Sequence, residues 1–431
     1  MSETKLYAVC GRPILPSRSP DMFNALFSQA KIPAVYTRIS SKSAEEALFL
    51  FRELGISGMN VTAPLKQDML ELLSDFDSAS AQIGGVNLVI RNRESLRGRN
   101  TDFLGVTESL HKKGISVVGR RCLVLGAGAA GRAAAFGLQQ SGAEVILVNR
   151  SFEKAQTAAK AIGCRVRPWE DLKACLKTAR ILVSALSTPK NPVKKAWLKP
   201  SMVVFDARYP HSQLCDEAEK KGCDVIRGEE WLLNQAIPVF KMFTGLEPDV
   251  KLMQQTLASK IPSPEKPQNI ALIGFMGCGK TTIGKTLANK LAYKFQDTDS
   301  LIEEQEGQSI PDIFHNEGEA YFRRVEKRII RELSERKGQI WACGGGSVLD
   351  TDSRKILKDN AVVIWLYTSL ETSFKRIEPG TRPLLDGETS RQAAEELLRE
   401  RLPFYARASD MVMSSEAAAD DIVDNIYAEI G

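Results

Sequence analysis

The sequence predicts an α/β protein of more than one domain, built on mainly parallel sheets. Three observations predict it. The chain has 431 residues, too many for one ordinary core. Strand-like and helix-like segments alternate from the start. Two glycine-rich loops each stand between a strand pattern and a helix pattern. Hydrophobic residues at 43% and charged residues at 26% describe a globular protein and exclude fibrous and disordered classes.

In chain order, residues 5–11 (KLYAVCG) read as a strand. The helix pattern that follows has Ser19 as N-cap and Pro20 at its first position. Strand VYTRIS, a helix over 43–54, strand GMNVT and a helix from 65 complete a first βαβ rhythm. A second begins at RRCLVLGAG (120–128), continues through residues 144–150 and 179–185, and closes near 202–208. Residues 261–268 hold three prolines in eight positions, which prevents helix and sheet pairing and marks a spacer. A new α/β unit starts at 269.

Charge divides along the same line. Residues 1–260 carry 36 basic and 25 acidic side chains, and residues 261–431 carry 22 and 28. The surplus of positive charge in the first part suits an anionic ligand. It is scattered rather than gathered into basic blocks with aromatics, which argues against nucleic acid as a partner. Eight cysteines form no CxxC pair and there are three histidines, so the cysteines read as free thiols of a reducing cytoplasm rather than zinc ligands. No stretch approaches the length needed to cross a bilayer, so no membrane partner is expected.

Gly126, Gly128 and Gly131, with Ala129 and Ala130, follow a strand directly and open a helix, where backbone must approach a pyrophosphate at the helix N-terminus. The next strand ends in Asn149-Arg150 rather than an acid. A neutral side chain and a guanidinium suit a ribose 2′-phosphate, which favours NADP over NAD, with Ser151 and Lys154 as further contacts. Downstream, residues 274–282 (GFMGCGKTT) make a phosphate loop. Amides of Gly277, Cys278 and Gly279 would cradle phosphates, Lys280 would reach the β/γ oxygens and the Thr281 hydroxyl would ligate Mg²⁺, with Thr282 beside it. A thiol at a helix start invites attack by thiol reagents at Cys278.

Residues 17–20 (SRSP), 58–66 (GMNVTAPLK), 85–87 (GVN), 100–105 (NTDFLG), the Gly126 loop, Asn149-Arg150 and 233–235 (LNQ) resemble the shikimate dehydrogenase family in order and spacing over about 260 residues. The resemblance implies a two-subdomain α/β architecture: a substrate subdomain over 1–105 with a return helix at 235–260, and a Rossmann NADP subdomain over 106–234. It implies NADPH-dependent reduction of 3-dehydroshikimate to shikimate, with Lys66 as general acid/base and Asp102 orienting it. Ser17 and Ser19 would take the substrate carboxylate, Thr62, Asn87 and Gln235 the ring hydroxyls, and Tyr209 would lie near substrate and cofactor. The family pattern is broken at Ser184 and Ser187, and by Pro238 in a segment expected to be helical.

Residues 269–413 resemble the shikimate kinase family through the phosphate loop, 297–299 (DTD), 318–326, 344–346 (GGG), 382–385 (RPLL) and 401–405 (RLPFY). The resemblance implies a P-loop kinase domain with a parallel sheet over 269–431, phosphorylating the shikimate 3-hydroxyl with ATP and Mg²⁺. Asp299 would bond the hydroxyls and accept the proton, and Asp297 would contribute to the water shell of the ion. Arg323 and Arg401 would grip the carboxylate, Gly345 and Gly346 would bring backbone against the ring, and Arg376 would lie against adenine. Arg382 would act from a lid over about 378–390. The expectation is a cytoplasmic bifunctional enzyme, with 3-dehydroshikimate and shikimate as its small-molecule partners. Two alternatives are an NAD-dependent quinate/shikimate dehydrogenase, and a regulator resembling the fungal quinate repressor that binds such ligands without turnover.

Overall fold

The computed structural model describes residues 4–93, 95–188, 190–259, 267–377 and 390–430. The chain folds into two compact units that do not follow chain order. One gathers Met1–Pro20, Phe27–Ser57 and Lys260–Gly431; the other gathers Asp21–Leu26 and Gly58–Ser259.

The first unit carries a run of parallel strands in the order Lys294–Asp297, Gln339–Ala342, Asn269–Ile273, Val362–Tyr367, Met411–Ser414, Ala34–Ser40 and Lys5–Gly11. Asn269–Ile273 is buried along its whole length, as expected of a strand covered on both faces. Its sequence is correspondingly apolar rather than alternating. The phosphate loop follows at its C-terminal end and leads into helix Lys280–Leu291. Near the other end of this run, Ile39 pairs with Val412 and Ser40 with Met413, so two strands from distant parts of the sequence satisfy each other's backbone groups. Helix Ala44–Glu53 is capped by the Ser43 side chain accepting from the Glu46 N–H.

The second unit holds a parallel sheet in the order Asp224–Ile226, Val203–Asp206, Ile181–Ser184, Arg121–Leu125, Glu144–Val148, Arg165–Arg167. Strand order reverses between Arg121–Leu125 and Ile181–Ser184, the switch point at which such sheets receive ligands. Buried apolar side chains fill both faces, Val124, Leu147 and Val183 on one and Leu123, Ile146 and Leu182 on the other. The same unit holds Gly58–Val61, Leu88–Asn92 and Ser95–Arg99 as antiparallel neighbours. Helices Asp102–Lys112 and Gly228–Thr244 are clamped together where Trp231 Nε1 donates to the Asp102 carbonyl at 2.9 Å. A Cβ on Gly105 would stand 2.4 Å from the Trp231 ring, so the crossing requires glycine there. Gly228–Thr244 stays helical through Pro238. No described helix is long and apolar enough to cross a membrane.

Candidate active sites

In the second unit, Lys66 begins a short helix directly after strand Gly58–Val61 and a turn. Its Nζ donates to Asp102 Oδ2 at 2.5 Å, and the two side chains are 12% and 4% exposed. The other carboxylate oxygen, Oδ1, accepts from Asn87 Nδ2 at 2.8 Å. Asn87 is itself fixed, because its Oδ1 accepts from the Thr101 N–H at 2.8 Å. Its Nδ2 also reaches Gln235 Oε1 at 3.2 Å. The carboxylate therefore has one oxygen committed to structure and one to the ammonium. That is the arrangement required to hold a proton-carrying nitrogen in one place.

The three sequence motifs meet through backbone as well. The Lys66 carbonyl accepts from the Val86 N–H at 2.9 Å, and a Cβ on Gly85 would come within 3.1 Å of that carbonyl. Asn100 donates to the Gly85 carbonyl and accepts from the Asp102 N–H. Sequence reasoning quoted Asn100 and Thr101 without giving them work, and missed Trp231. Each holds Asp102 or Asn87, and no local pattern announces it. Thr62 and Tyr209 are half-buried in this unit. Ser17 and Ser19 belong to the first unit, where Ser19 hydrogen-bonds the wholly buried Tyr36; burial raises that phenol.

At the sheet's switch point, Gly126 turns at φ +104° and Gly128 precedes helix Ala129–Gln140. A Cβ on Gly131 would fall 1.8 Å from the Gly126 carbonyl oxygen. A Cβ built on Gly128 meets nothing within 4 Å, so that glycine leaves open space at the helix start. Asn149 Oδ1 accepts from the Ala127 N–H at 3.3 Å, and its Nδ2 donates to the Ser151 carbonyl. Asn149 thus braces the loop, while Arg150, Ser151 and Lys154 are exposed beside it with no acid at the strand end. An open helix N-terminus with a nearby guanidinium fits a phosphorylated dinucleotide. Ser184 is buried and Ser187 exposed.

In the first unit a cavity of about 900 Å³ opens beside the phosphate loop. Gly277 and Gly279 adopt φ +75° and +88°, conformations that strain any side chain. Lys280 Nζ donates to the carbonyls of Gly274 and Phe275. Thr281 Oγ1 donates to Asp297 Oδ2 at 2.8 Å, and Thr282 is exposed behind it. A hydroxyl and a carboxylate side by side at a phosphate loop are hard oxygen donors, the set that suits Mg²⁺. Asp297 also caps the next helix by accepting from the Asp299 N–H.

Across the cavity Arg323 Nη1 donates to Glu326 Oε2 at 2.8 Å. Glu326 is 3% exposed. Burial raises its carboxyl, against the pull of Arg323 and the Ser347 hydroxyl. Sequence reasoning quoted Glu326 at the end of its motif without giving it a role, although the spacing Arg323 to Glu326 on one helix was visible. Arg401 Nη1 and Tyr405 both donate to the Gly345 carbonyl. Arg401 Nε is buried with no hydrogen-bond partner among the described residues, a donor suited to an incoming anion.

A Cβ on Gly346 would lie 2.3 Å from Arg323 Nη2, so the missing side chain makes room for the guanidinium beside the cavity that Gly345 and Gly346 line. One expectation is corrected. Cys278 is only 1% exposed, so its thiol is shielded from reagents by the packing of the loop. Arg376 is exposed and donates to the Ser415 and Glu416 carbonyls. Arg382 and the lid at 378–389 lie outside the described residues.

Comparison with known proteins divides the chain along its sequence. Family models described as shikimate dehydrogenase substrate binding domain, shikimate / quinate 5-dehydrogenase and shikimate kinase match residues 9–89, 108–211 and 276–431. A shikimate dehydrogenase (NADP(+)) of Thermococcus kodakarensis is 37% identical over 262 residues, 59% of this chain and 96% of the relative. A shikimate kinase of Persephonella marina is 42% identical over 164 residues, 38% of this chain and 99% of the relative. A crystal structure of shikimate 5-dehydrogenase from Thermus thermophilus in complex with NADP(H) and shikimate aligns at 30% identity. Its TM-score is 0.54, and the match covers 58% of this chain and 98% of that one.

Proposed function

The chain belongs to the shikimate dehydrogenase family in its first part and to the shikimate kinase family in its last, and from that premise we propose that it catalyses two consecutive reactions. The first reduces the C3 carbonyl of 3-dehydroshikimate to the C3 hydroxyl of shikimate with NADPH. The second transfers the γ-phosphoryl of ATP to that hydroxyl. The Lys66, Asp102 and Asn87 network in one compact unit, together with the phosphate loop and its Thr281–Asp297 pair in the other, carries this reading.

NADPH supplies the hydride when bound. Lys66 Nζ would give the substrate's carbonyl oxygen the proton that completes the alcohol as the hydride is delivered to the carbon. Asp102 keeps Nζ aimed, and Asn87 keeps Asp102 from turning. Ser17 and Ser19 receive the carboxylate, and Thr62, Asn87 and Gln235 the hydroxyls. The Gly126 loop takes the pyrophosphate. Arg150 takes the 2′-phosphate with Ser151 and Lys154, which is the support for NADPH over NADH.

Thr281 would hold Mg²⁺ brought in with ATP, with Asp297 contributing to its water shell, and the ion would neutralise phosphate charge. Lys280 offers its ammonium to the phosphate oxygens, Asp299 accepts the proton of the attacking hydroxyl, and Arg323 and Arg401 hold the substrate carboxylate.

The test is two assays on the purified chain. NADPH absorbance should fall on addition of 3-dehydroshikimate and fall much more slowly with NADH. ADP should appear when shikimate, ATP and Mg²⁺ are supplied. Absence of either signal removes the corresponding half of the proposal, and equal rates with NADH remove the coenzyme assignment.

A further inference from the structure

Within the first unit, the last helix of the kinase portion, Ala419–Ile430, sends a carboxylate into a loop near the start of the chain. Glu429 is 8% exposed. Its Oε2 accepts from the backbone N–H of Ile14 at 2.7 Å and of Leu15 at 3.3 Å, and its Oε1 accepts from Ser40 Oγ at 2.7 Å. Ile14 is wholly buried, so its N–H has a carboxyl oxygen as partner in place of water. The turn is closed by the Ser17 N–H donating to the Ile14 carbonyl.

The exit of the turn is held from the same side. Arg38 donates through Nε and Nη2 to the Ser17 carbonyl at 3.1 and 2.7 Å, and through Nη1 to the carbonyl of Asp410 at 3.3 Å. Asp410 immediately precedes strand Met411–Ser414, which pairs with the strand that carries Arg38. Residues 14–17 are therefore held at entry by Glu429 and at exit by Arg38, whose guanidinium also reaches the Asp410 carbonyl; Ser17 lies in that loop and Ser19 opens the helix that follows.

We propose that Glu429 is a positioning residue for the dehydrogenase reaction, setting the loop whose Ser17 and Ser19 hydroxyls receive the substrate carboxylate. The inference rests on the dehydrogenase reading given above. It means that, within the first unit, the kinase portion holds the Ser17 loop in place, so that fusion of the two has a consequence beyond tethering.

The experiment compares wild type, Glu429→Ala and Glu429→Gln in the full-length chain, measuring NADP⁺-linked shikimate oxidation and ADP formation. Glu429→Ala should raise the dehydrogenase KM for shikimate about tenfold by orphaning the buried amides. kcat, the KM for NADP⁺ and both kinase KM values should stay within about twofold of wild type. Glu429→Gln should restore the shikimate KM, because its carbonyl oxygen still accepts from Ile14 and Leu15 while its amide donates to Ser40. An unchanged shikimate KM in Glu429→Ala overturns the proposal. So does a fall in kcat alone, a parallel loss of both activities, or a Gln variant as impaired as the Ala variant. If Glu429→Ala does not fold, Glu429→Asp, which keeps the charge but draws the carboxylate back from the Ile14 and Leu15 amides, carries the same test with the same expected split. A wild-type chain that never oxidises shikimate overturns the underlying reading instead, and is recognised before any variant is compared.

Discussion

The Gly126 loop and the Gly274 loop are built alike, a buried strand running into glycines and then a helix, yet they differ in what stands at the helix start. Helix Ala129–Gln140 opens with two alanines and an uncapped Gly128, and the loop is braced by a neutral side chain, Asn149. Helix Lys280–Leu291 opens with Lys280 and Thr281, the lysine folded onto loop carbonyls and the threonine against Asp297. The difference follows from the chemistry. A dinucleotide whose phosphates do not react needs only close backbone approach and a helix dipole. A phosphoryl group in transfer needs charge neutralised where it develops, and that requires side chains.

The comparison is broken most severely by removing the reacting lysines. Lys66→Ala should lower NADP⁺-linked shikimate oxidation by about 10³ and leave ADP formation intact, and Lys280→Ala should do the reverse by a similar factor. Loss of both activities from either change would show that the loops do not serve separate reactions.

Two glycines sharpen it next. Gly131→Ala forces a Cβ to 1.8 Å from a carbonyl and should cost thermal stability and NADP⁺ binding together. Gly128→Ala, with nothing within 4 Å, should keep the melting temperature and lose NADP⁺ affinity alone, which calorimetric titration would read. Equal melting temperatures for the two variants would contradict the geometry of the loop.

Asn87→Ala frees Asp102 Oδ1 and should cost roughly ten- to a hundredfold in dehydrogenase kcat/KM, with the kinase unchanged. Arg150→Ala should reduce kcat/KM for NADP⁺ by about tenfold and leave that for NAD⁺ nearly unaltered, narrowing the coenzyme preference.

The smallest effect concerns Glu326, whose carboxyl is raised by burial. A carboxyl raised in the fold favours folding most while protonated. Its contribution is present below the ordinary value of 4.5 and is lost as pH climbs through the raised value. Melting temperature followed upward from acid pH should therefore fall more steeply in wild type than in Glu326→Gln. An identical slope would mean that the carboxyl titrates alike in folded and unfolded chains.

Much of this was legible in the sequence, for a physical reason. Gly131 and Gly279 are required by backbone geometry that no other residue supplies, so a strand, a glycine pattern and a helix announce the loop wherever it lies. Lys66, Asp102 and Asn87 were found through motifs, and the structure brings them together. What was not legible depends on contact between remote segments. Pairing of Ile39 with Val412 joins two ordinary apolar strands, and nothing in either marks its partner. Glu429 reads as a helix-terminal acid, and its hydrogen bond to Ile14 spans 415 positions. Nor does the sequence say that the space left by Gly346 is where the Arg323 guanidinium packs.

The central claim, that one chain makes an alcohol and then phosphorylates it, is tested most directly by isotope transfer. Purified chain is given 3-dehydroshikimate, ATP, Mg²⁺ and NADPH deuterated at the transferred hydrogen. The account predicts shikimate 3-phosphate carrying deuterium on the carbon that bears the phosphate. Product without deuterium there, or labelled shikimate that is never phosphorylated, would contradict it.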